Sequence, residues 1–162
     1  MTKYMDIHFT LNGAPVEARI RSDTLLLDML RDQFMLHSVR SGCENGECGA
    51  CTVLIDNLAV NSCLYLAARV NGHNVTTLEG VSQNGKLTHV QQAFVDHGAL
   101  QCGFCGSGMI LSAMSLLSKN PQPSRQEVKE YLAGNLCRCS GYVKIENAVL
   151  DAAQRLLDDK HE

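Results

Sequence analysis

The stretch that decides the fold of the first half runs Gly42-Cys43-Glu44-Asn45-Gly46-Glu47-Cys48-Gly49-Ala50-Cys51-Thr52-Val53. Four residues separate its first two cysteines and two residues separate the second from the third. Its three glycines permit positive φ angles and carry no side chain, so the backbone can wrap a bound group and direct N–H donors toward it. The stretch therefore predicts an irregular loop that presents three thiols to one point.

A fourth cysteine, Cys63, follows Cys51 after eleven intervening residues. Three thiols from one tight loop and a fourth from a separate segment are the pattern of a plant-type ferredoxin loop, which holds a [2Fe-2S] cluster. Structural zinc is the alternative, although zinc sites usually combine two Cys-x2-Cys units. We expect a [2Fe-2S] cluster on Cys43, Cys48, Cys51 and Cys63.

A second cysteine quartet has a different spacing and lies in the other half of the chain. Cys102 and Cys105 are separated by two residues, and Cys137 and Cys139 by one. The first pair precedes an apolar helical pattern, whose N-terminal dipole and free N–H groups favour a bound anion. The quartet predicts a second [2Fe-2S] cluster, with zinc or inert buried cysteines as alternatives.

Composition and charge restrict the remaining function classes. The chain has 162 residues, with 14 Lys and Arg against 17 Asp and Glu, and has no long basic run. Nucleic acid is therefore not an expected partner. Neither a signal peptide nor an apolar stretch of about 18 residues that could span a membrane is evident. We expect a cytoplasmic protein, where reduced thiols serve as ligands rather than in disulfides.

The first half shows the patterns of a small sheet with one helix. Apolar residues alternate with polar ones over residues 7–11 and 16–20, and Asn12-Gly13 between them predicts a β-hairpin. Leu26, Leu27, Leu30 and Phe34 recur at helical spacing, after Ser22 or Asp23 as a possible N-cap. Residues 52–55 predict a buried strand, Asp56-Asn57 a turn, and Val75-Thr76-Thr77 a short edge strand.

The second half changes to a helical period. Apolar residues at helical spacing predict helices around residues 90–97, 109–117 and 145–156, and Ser124 with Glu127 forms a capping box that opens another. A polar connector, residues 81–86, separates the halves. We expect an α+β chain with a [2Fe-2S] domain over residues 1–80 and an all-α [2Fe-2S] domain over residues 81–162.

Both cysteine motifs resemble one family, the iron-sulfur small subunits of the molybdenum hydroxylases, or xanthine dehydrogenase family. The matching stretches are residues 42–53, 101–105, 108–110 and 134–142, which include Gln-Cys-Gly-Phe-Cys and Gly-Asn-Leu-Cys-Arg-Cys-Ser-Gly-Tyr. Residues 62–68, 78–80 and 89–93 look most like small subunits of bacterial three-subunit xanthine dehydrogenases. The likeness covers nearly the whole chain.

The resemblance implies a β-grasp ferredoxin-like domain followed by a four-helix bundle. It further implies a large subunit that binds a molybdopterin-type molybdenum cofactor and a medium subunit that binds FAD, in a hetero-oligomer such as a dimer of heterotrimers. Electrons would pass from the molybdenum site to the inner cluster, on the second quartet, then to the outer cluster, on the first quartet, and on to flavin. Gln101 would contact the pterin.

The resemblance also implies what the chain does not do alone. It would be the iron-sulfur subunit of an oxidoreductase complex, with the substrate, a purine or another N-heterocycle, oxidised on the large subunit. No catalytic residue is expected in this chain. One departure stands out: Gly106-Ser107 occupy positions where many relatives have Thr-Pro, which predicts a more flexible loop after Cys105.

Overall fold

A computed structural model describes residues 3–82 and 85–159 of the chain. Its strands are β1 (Tyr4–Leu11), β2 (Ala14–Arg21), β3 (Thr52–Ile55), β4 (Leu58–Asn61) and β5 (Asn74–Thr76). Its helices are α1 (Leu26–Asp28), α2 (His89–Asp96), α3 (Gly106–Lys119), α4 (Arg125–Leu132) and α5 (Val143–Asp158). Strands therefore precede the long helices, and the predicted α+β class is confirmed.

The strands form one mixed sheet in the order β2-β1-β5-β3-β4. β1 pairs with β2 through the predicted hairpin, where Asn12 and Gly13 have φ angles of 51° and 83°. A second hairpin joins β3 and β4 through Asp56 and Asn57, which have φ angles of 47° and 67°. Both turns place positive φ angles on residue types that tolerate them, as two-residue hairpin loops require.

The prediction of an edge strand at Val75-Thr76-Thr77 was wrong. β5 lies between β1 and β3, where it pairs parallel with one and antiparallel with the other. Val75 is opposite Leu11 on one side and Ile55 on the other, and it is 1% exposed. The segment has too few apolar residues to indicate a central strand. It is buried because β1 and β3 cover it on both sides, which its own sequence pattern does not show.

One short helix lies against this sheet. α1 continues into a wider, π-helical turn over Met29–Gln33. Neither Ser22 nor Asp23 caps it, so that prediction was wrong: Leu25 is the N-cap residue, and the Leu26 N–H donates to the Tyr65 carbonyl. The backbone carbonyl of a segment distant in sequence thus accepts the hydrogen bond that a capping side chain would have accepted.

The helix and the sheet share one apolar core. Leu26 and Leu30 are fully buried in it together with the inward side chains of β1 and β2. The Phe9 and Phe34 rings meet edge to face, with 5.8 Å between their centroids. A mixed sheet closed over one helix is a β-grasp arrangement, as predicted.

The four long helices form the predicted bundle. Two capping boxes define helix starts, at Thr88 with Gln91 for α2 and at Ser124 with Glu127 for α4. Phe94, from α2, is fully buried in the centre of the bundle with apolar residues of α3, α4 and α5. None of the helices that the structure describes is long and apolar enough to cross a membrane.

The two halves pack against each other rather than merely following one another. Leu54 of β3, Val81 of the connector and Leu111 of α3 form a buried apolar cluster between sheet and bundle. Both faces of β3 are therefore covered, which explains its continuous run of buried residues. Residues 83–84, in the middle of the predicted connector, lie outside the described residues, and the boundary at residues 80/81 stays a prediction.

Backbone meets backbone at the centre of this contact. A Cβ atom built on Gly108, in the first turn of α3, would lie 2.2 Å from the Gly49 carbonyl oxygen. The buried Asn135 side chain donates to the same carbonyl at 3.0 Å and accepts from the Ser112 hydroxyl at 2.8 Å. Glycine at position 108 thus lets the bundle approach the cysteine loop directly.

Substituting alanine for Gly108 should destabilise the contact between the sheet domain and the helical bundle. Gly108→Ala would ordinarily favour a helix, but here the methyl group would overlap the Gly49 carbonyl, and overpacking typically costs about 1–3 kcal/mol. We expect a lower midpoint in thermal denaturation. Gly134→Ala is the matched control, because nothing lies within 4 Å of its added methyl group; equal midpoints for the two variants would contradict the prediction.

Candidate iron-sulfur sites

The first cysteine quartet is assembled by the β3–β4 hairpin. Cys51 immediately precedes β3, and Cys63 lies in the 3-10 turn Ser62–Leu64 that follows β4. Pairing of Thr52 with Asn61 across the hairpin therefore brings the third and fourth cysteines together. The Ser62 hydroxyl reinforces this arrangement by donating to the Cys51 carbonyl at 2.8 Å.

The four thiols of this quartet form two neighbouring pairs. Cys43 interacts with Cys48, and Cys51 with Cys63. Cys43 is exposed and Cys48 is half-buried, whereas Cys51 and Cys63 are each 2% exposed. A bound group would therefore have one pair of ligands in the core and the other pair near the surface.

Backbone donors surround the outer pair. The N–H groups of Asn45 and Cys48 lower the pKa of the Cys43 thiol to about 7, the Cys48 N–H lying 3.4 Å from the Cys43 sulfur. Burial, together with the nearby Cys51, instead raises the pKa of Cys63 to about 11. N–H donors that stabilise a thiolate here can also stabilise the sulfurs of an anionic group.

The second quartet lies where the bundle helices begin. Cys105 is the N-cap residue of α3, and Cys102 lies three residues before it. Cys137 and Cys139 come from the loop between α4 and α5. Cys102 and Cys139 are exposed, with their sulfurs 3.6 Å apart, while the half-buried Cys105 interacts with Cys137.

Ser140 supplies two donors to this second quartet. Partial burial alone would raise the pKa of Cys137, but the side chain and N–H of Ser140 lower it to about 7. These donors lie 3.2 Å and 3.4 Å from the Cys137 sulfur. Burial and the nearby Cys137 raise the pKa of Cys105 to about 12. Each pair of this quartet thus joins a thiol of lowered pKa to one of raised pKa: Cys102 to Cys139, and Cys137 to Cys105.

Two further side chains hold the loop that carries Cys137 and Cys139. The exposed Gln101 donates from its amide nitrogen to the Cys139 carbonyl at 3.1 Å. The Tyr142 hydroxyl accepts from the Cys137 N–H at 2.9 Å. The sequence motif contains Tyr142 and Asn135 but predicts neither of these contacts; Asn135 joins the loop after α4 to Gly49.

The prediction of a flexible loop at Gly106-Ser107 was wrong. Both residues are buried and form the first turn of α3. The Ser107 hydroxyl donates to the Ser38 carbonyl at 2.6 Å, which joins the start of α3 to the segment that precedes the first cysteine loop. Its partner lies 69 residues away in sequence, so the local motif could not reveal it.

A single hydrogen bond connects the backbones of the two quartets directly. The Leu136 N–H donates to the Cys48 carbonyl at 2.9 Å. Cys48 belongs to the first quartet, and Leu136 is covalently joined to Cys137 of the second. Cys48 and Cys137 are therefore linked through one hydrogen bond and the peptide bond between Leu136 and Cys137.

The donor set fits two-iron clusters better than a single metal ion. Within residues 3–82 and 85–159, no three His, Cys, Asp or Glu side chains converge as ligands of one ion. A tetrahedral zinc site requires such convergence. In a [2Fe-2S] cluster each iron takes two of the four thiolates, and four neighbouring pairs of thiols match the number of ligands that two such clusters need.

Two protein-family models, both of [2Fe-2S] binding domains, match the chain. Residues 9–80 match the model described as a 2Fe-2S iron-sulfur cluster binding domain. Residues 77–150 match the model described as a [2Fe-2S] binding domain. The two matches overlap only at the end of the β-grasp unit, so each quartet falls within its own model.

Known proteins of similar length match nearly the whole chain. The nicotinate dehydrogenase small FeS subunit of Eubacterium barkeri is 46% identical over 92% of this chain and 95% of its own. The xanthine dehydrogenase iron-sulfur-binding subunit of Escherichia coli O157:H7 is 50% identical, covering 90% and 92%. A chain of quinoline 2-oxidoreductase from Pseudomonas putida 86 superposes with a TM-score of 0.92 at 43% identity, covering 97% and 98%. The chain belongs to the iron-sulfur small subunits of the molybdenum hydroxylase (xanthine dehydrogenase) family, with two [2Fe-2S] cluster-binding domains.

Proposed function

We propose that each quartet holds one [2Fe-2S] cluster and that the chain relays electrons between the cofactors of two partner subunits. The outer site comprises Cys43, Cys48, Cys51 and Cys63. The inner site comprises Cys102, Cys105, Cys137 and Cys139. The observation that carries the proposal is the grouping of all eight thiols into four neighbouring pairs, two pairs in each domain.

The chain's own residues prepare these sites for one-electron transfer. When bound, each cluster would accept and release one electron, its net charge changing from about −2 to about −3. N–H groups of the first loop and the Ser140 donors stabilise negative charge at the ligands. The Leu136–Cys48 hydrogen bond supplies a short backbone connection between the sites.

The partners we propose are a large subunit with a molybdopterin-type molybdenum cofactor and a medium subunit with FAD. Apolar side chains are exposed beside both sites, which supports docking there. Leu100, Phe104 and Val143 are near the inner quartet in sequence and are 37%, 45% and 60% exposed. Leu64, next to Cys63 of the outer quartet, is 63% exposed.

The inner site would face the molybdenum subunit and the outer site the flavin subunit. Gln101 supports this orientation: its amide nitrogen is engaged by the Cys139 carbonyl, and its exposed position leaves the amide oxygen as an acceptor for a pterin. We propose a hetero-oligomer, a dimer of heterotrimers, in which this chain binds neither flavin nor substrate.

A purine or another N-heterocycle is the substrate class we propose for the assembled enzyme. Relatives at similar identity carry the names of xanthine and nicotinate dehydrogenases, and both names denote N-heterocycles. The substrate pocket would lie on the large subunit. Eight cysteines that form no disulfide bond suit the reducing cytoplasm, which is the location we propose.

Purification from the native host tests the relay. The tagged chain should bring a molybdenum-containing subunit and a flavin-containing subunit with it, and it should contain about four irons and four sulfides, as two [2Fe-2S] clusters require. A chain that returns alone with intact clusters would indicate a free electron carrier. Stoichiometric zinc without iron would contradict every redox function.

Separate substitution of the two quartets tests the ligand assignment. Cys48→Ser should remove the paramagnetic signal of the outer cluster and Cys105→Ser that of the inner cluster, because the quartets share no ligand. Electron paramagnetic resonance of the reduced protein distinguishes the two signals, and iron should fall by about half in each variant. Loss of both signals in both variants would contradict independent sites.

Removal of one donor should change the potential of one cluster. Ser140→Ala deletes the hydroxyl beside the Cys137 sulfur, and hydrogen bonds to cluster sulfurs stabilise the more negative reduced state. We expect a more negative reduction potential for the inner cluster and an unchanged one for the outer cluster. Redox titration followed by electron paramagnetic resonance measures both potentials. Ser118→Ala is the control, because the Ser118 hydroxyl donates to the Ser115 carbonyl within α3.

A further inference from the structure

Tyr142 has an unusual conformation and an unusual hydrogen bond. It is the residue before α5, and its backbone has φ 67° and ψ −39°, in the region that non-glycine residues rarely occupy. Its hydroxyl oxygen accepts from the Cys137 N–H at 2.9 Å. The side chain therefore turns back over its own loop instead of packing into the bundle.

This hydrogen bond withdraws a donor from the inner site. In the outer quartet, the Cys48 N–H lies against the Cys43 sulfur and lowers the pKa of that thiol. Cys137 belongs to the inner quartet just as Cys48 belongs to the outer one, but the Cys137 N–H donates to the Tyr142 hydroxyl oxygen rather than to a sulfur. The Cys137 sulfur instead interacts with the hydroxyl and N–H of Ser140, with the Cys139 N–H and with the Cys105 thiol.

The Tyr142 ring also stands at the surface of the inner site. It is 36% exposed, and within residues 3–82 and 85–159 its hydroxyl hydrogen meets no acceptor. A phenol that accepts one hydrogen bond keeps its own hydrogen to donate. Tyr142 thus binds the Cys137 N–H through its hydroxyl oxygen and keeps its hydroxyl hydrogen free to donate at the surface.

We infer that Tyr142 is a positioning residue that holds the reduction potential of the inner cluster down by keeping the Cys137 N–H away from its sulfurs. The inference rests on the proposed function only in placing a cluster on Cys137. Donors to cluster sulfurs stabilise the reduced form, which carries one more negative charge, so removing a donor favours the oxidised form. Tyr142 and Ser140 would act on Cys137 in opposite directions.

The test is Tyr142→Phe in the purified complex with its partner subunits. Phenylalanine keeps the ring but releases the Cys137 N–H. The equilibrium constant for reducing the inner cluster should rise about 2- to 10-fold, the effect of one hydrogen bond, while that of the outer cluster stays unchanged. A tenfold change corresponds to about 59 mV for one electron. An unchanged inner potential, or a more negative one, would overturn the inference.

A second measurement keeps the result interpretable. In deuterated buffer, hyperfine spectroscopy of the reduced inner cluster should detect one more exchangeable hydrogen in Tyr142→Phe, because the freed N–H turns toward a sulfur. No added coupling would overturn the inference even if the potential moved. Tyr131→Phe is the matched control, since its hydroxyl bonds to Ser115 in the bundle. A variant chain and a parent chain that both lack iron would instead overturn the proposed function.

Discussion

The contact between the Gly49 carbonyl and the first turn of α3 is the constraint on which the rest of the structure depends. Gly108 permits the approach because it has no Cβ, and Asn135 donates to the buried carbonyl together with the N–H and hydroxyl of Thr52. An unpaired buried carbonyl would be costly. Three chain segments that are distant in sequence therefore meet at one oxygen, and both cysteine quartets are held relative to it.

This junction explains why the two sites are neighbours although they lie in different domains. Leu136 follows Asn135 directly, so anchoring the asparagine side chain also places the Leu136 N–H against the Cys48 carbonyl. Ser107 adds a second anchor at the start of α3 through the Ser38 carbonyl. Electron transfer between two cofactors needs a fixed separation, and a backbone junction with few rotatable groups provides it.

The two sites are alike in their ligands but different in their surroundings. The outer quartet takes its donors mainly from the backbone of a glycine-rich loop, which offers N–H groups without side chains. The inner quartet takes donors from Ser140 and loses one to Tyr142. Side-chain donors can be substituted without altering the loop backbone, so the inner site is the one whose potential a single substitution can change most directly.

The amino-acid sequence by itself predicted the two cysteine quartets as ligand sets, and it determined the order of a sheet domain before a helical domain and the hairpin at Asn12-Gly13. Each of these depends on spacing or period within a short stretch. Only the tertiary structure decided that β5 is central, that Leu25 rather than Ser22 or Asp23 begins α1, and that Ser107 lies in a helix. It also decided which thiols are neighbours and that Tyr142 binds the Cys137 N–H. Most of these features depend on contacts between segments far apart in the chain, and a local pattern contains no information about which distant backbone will satisfy its donors and acceptors.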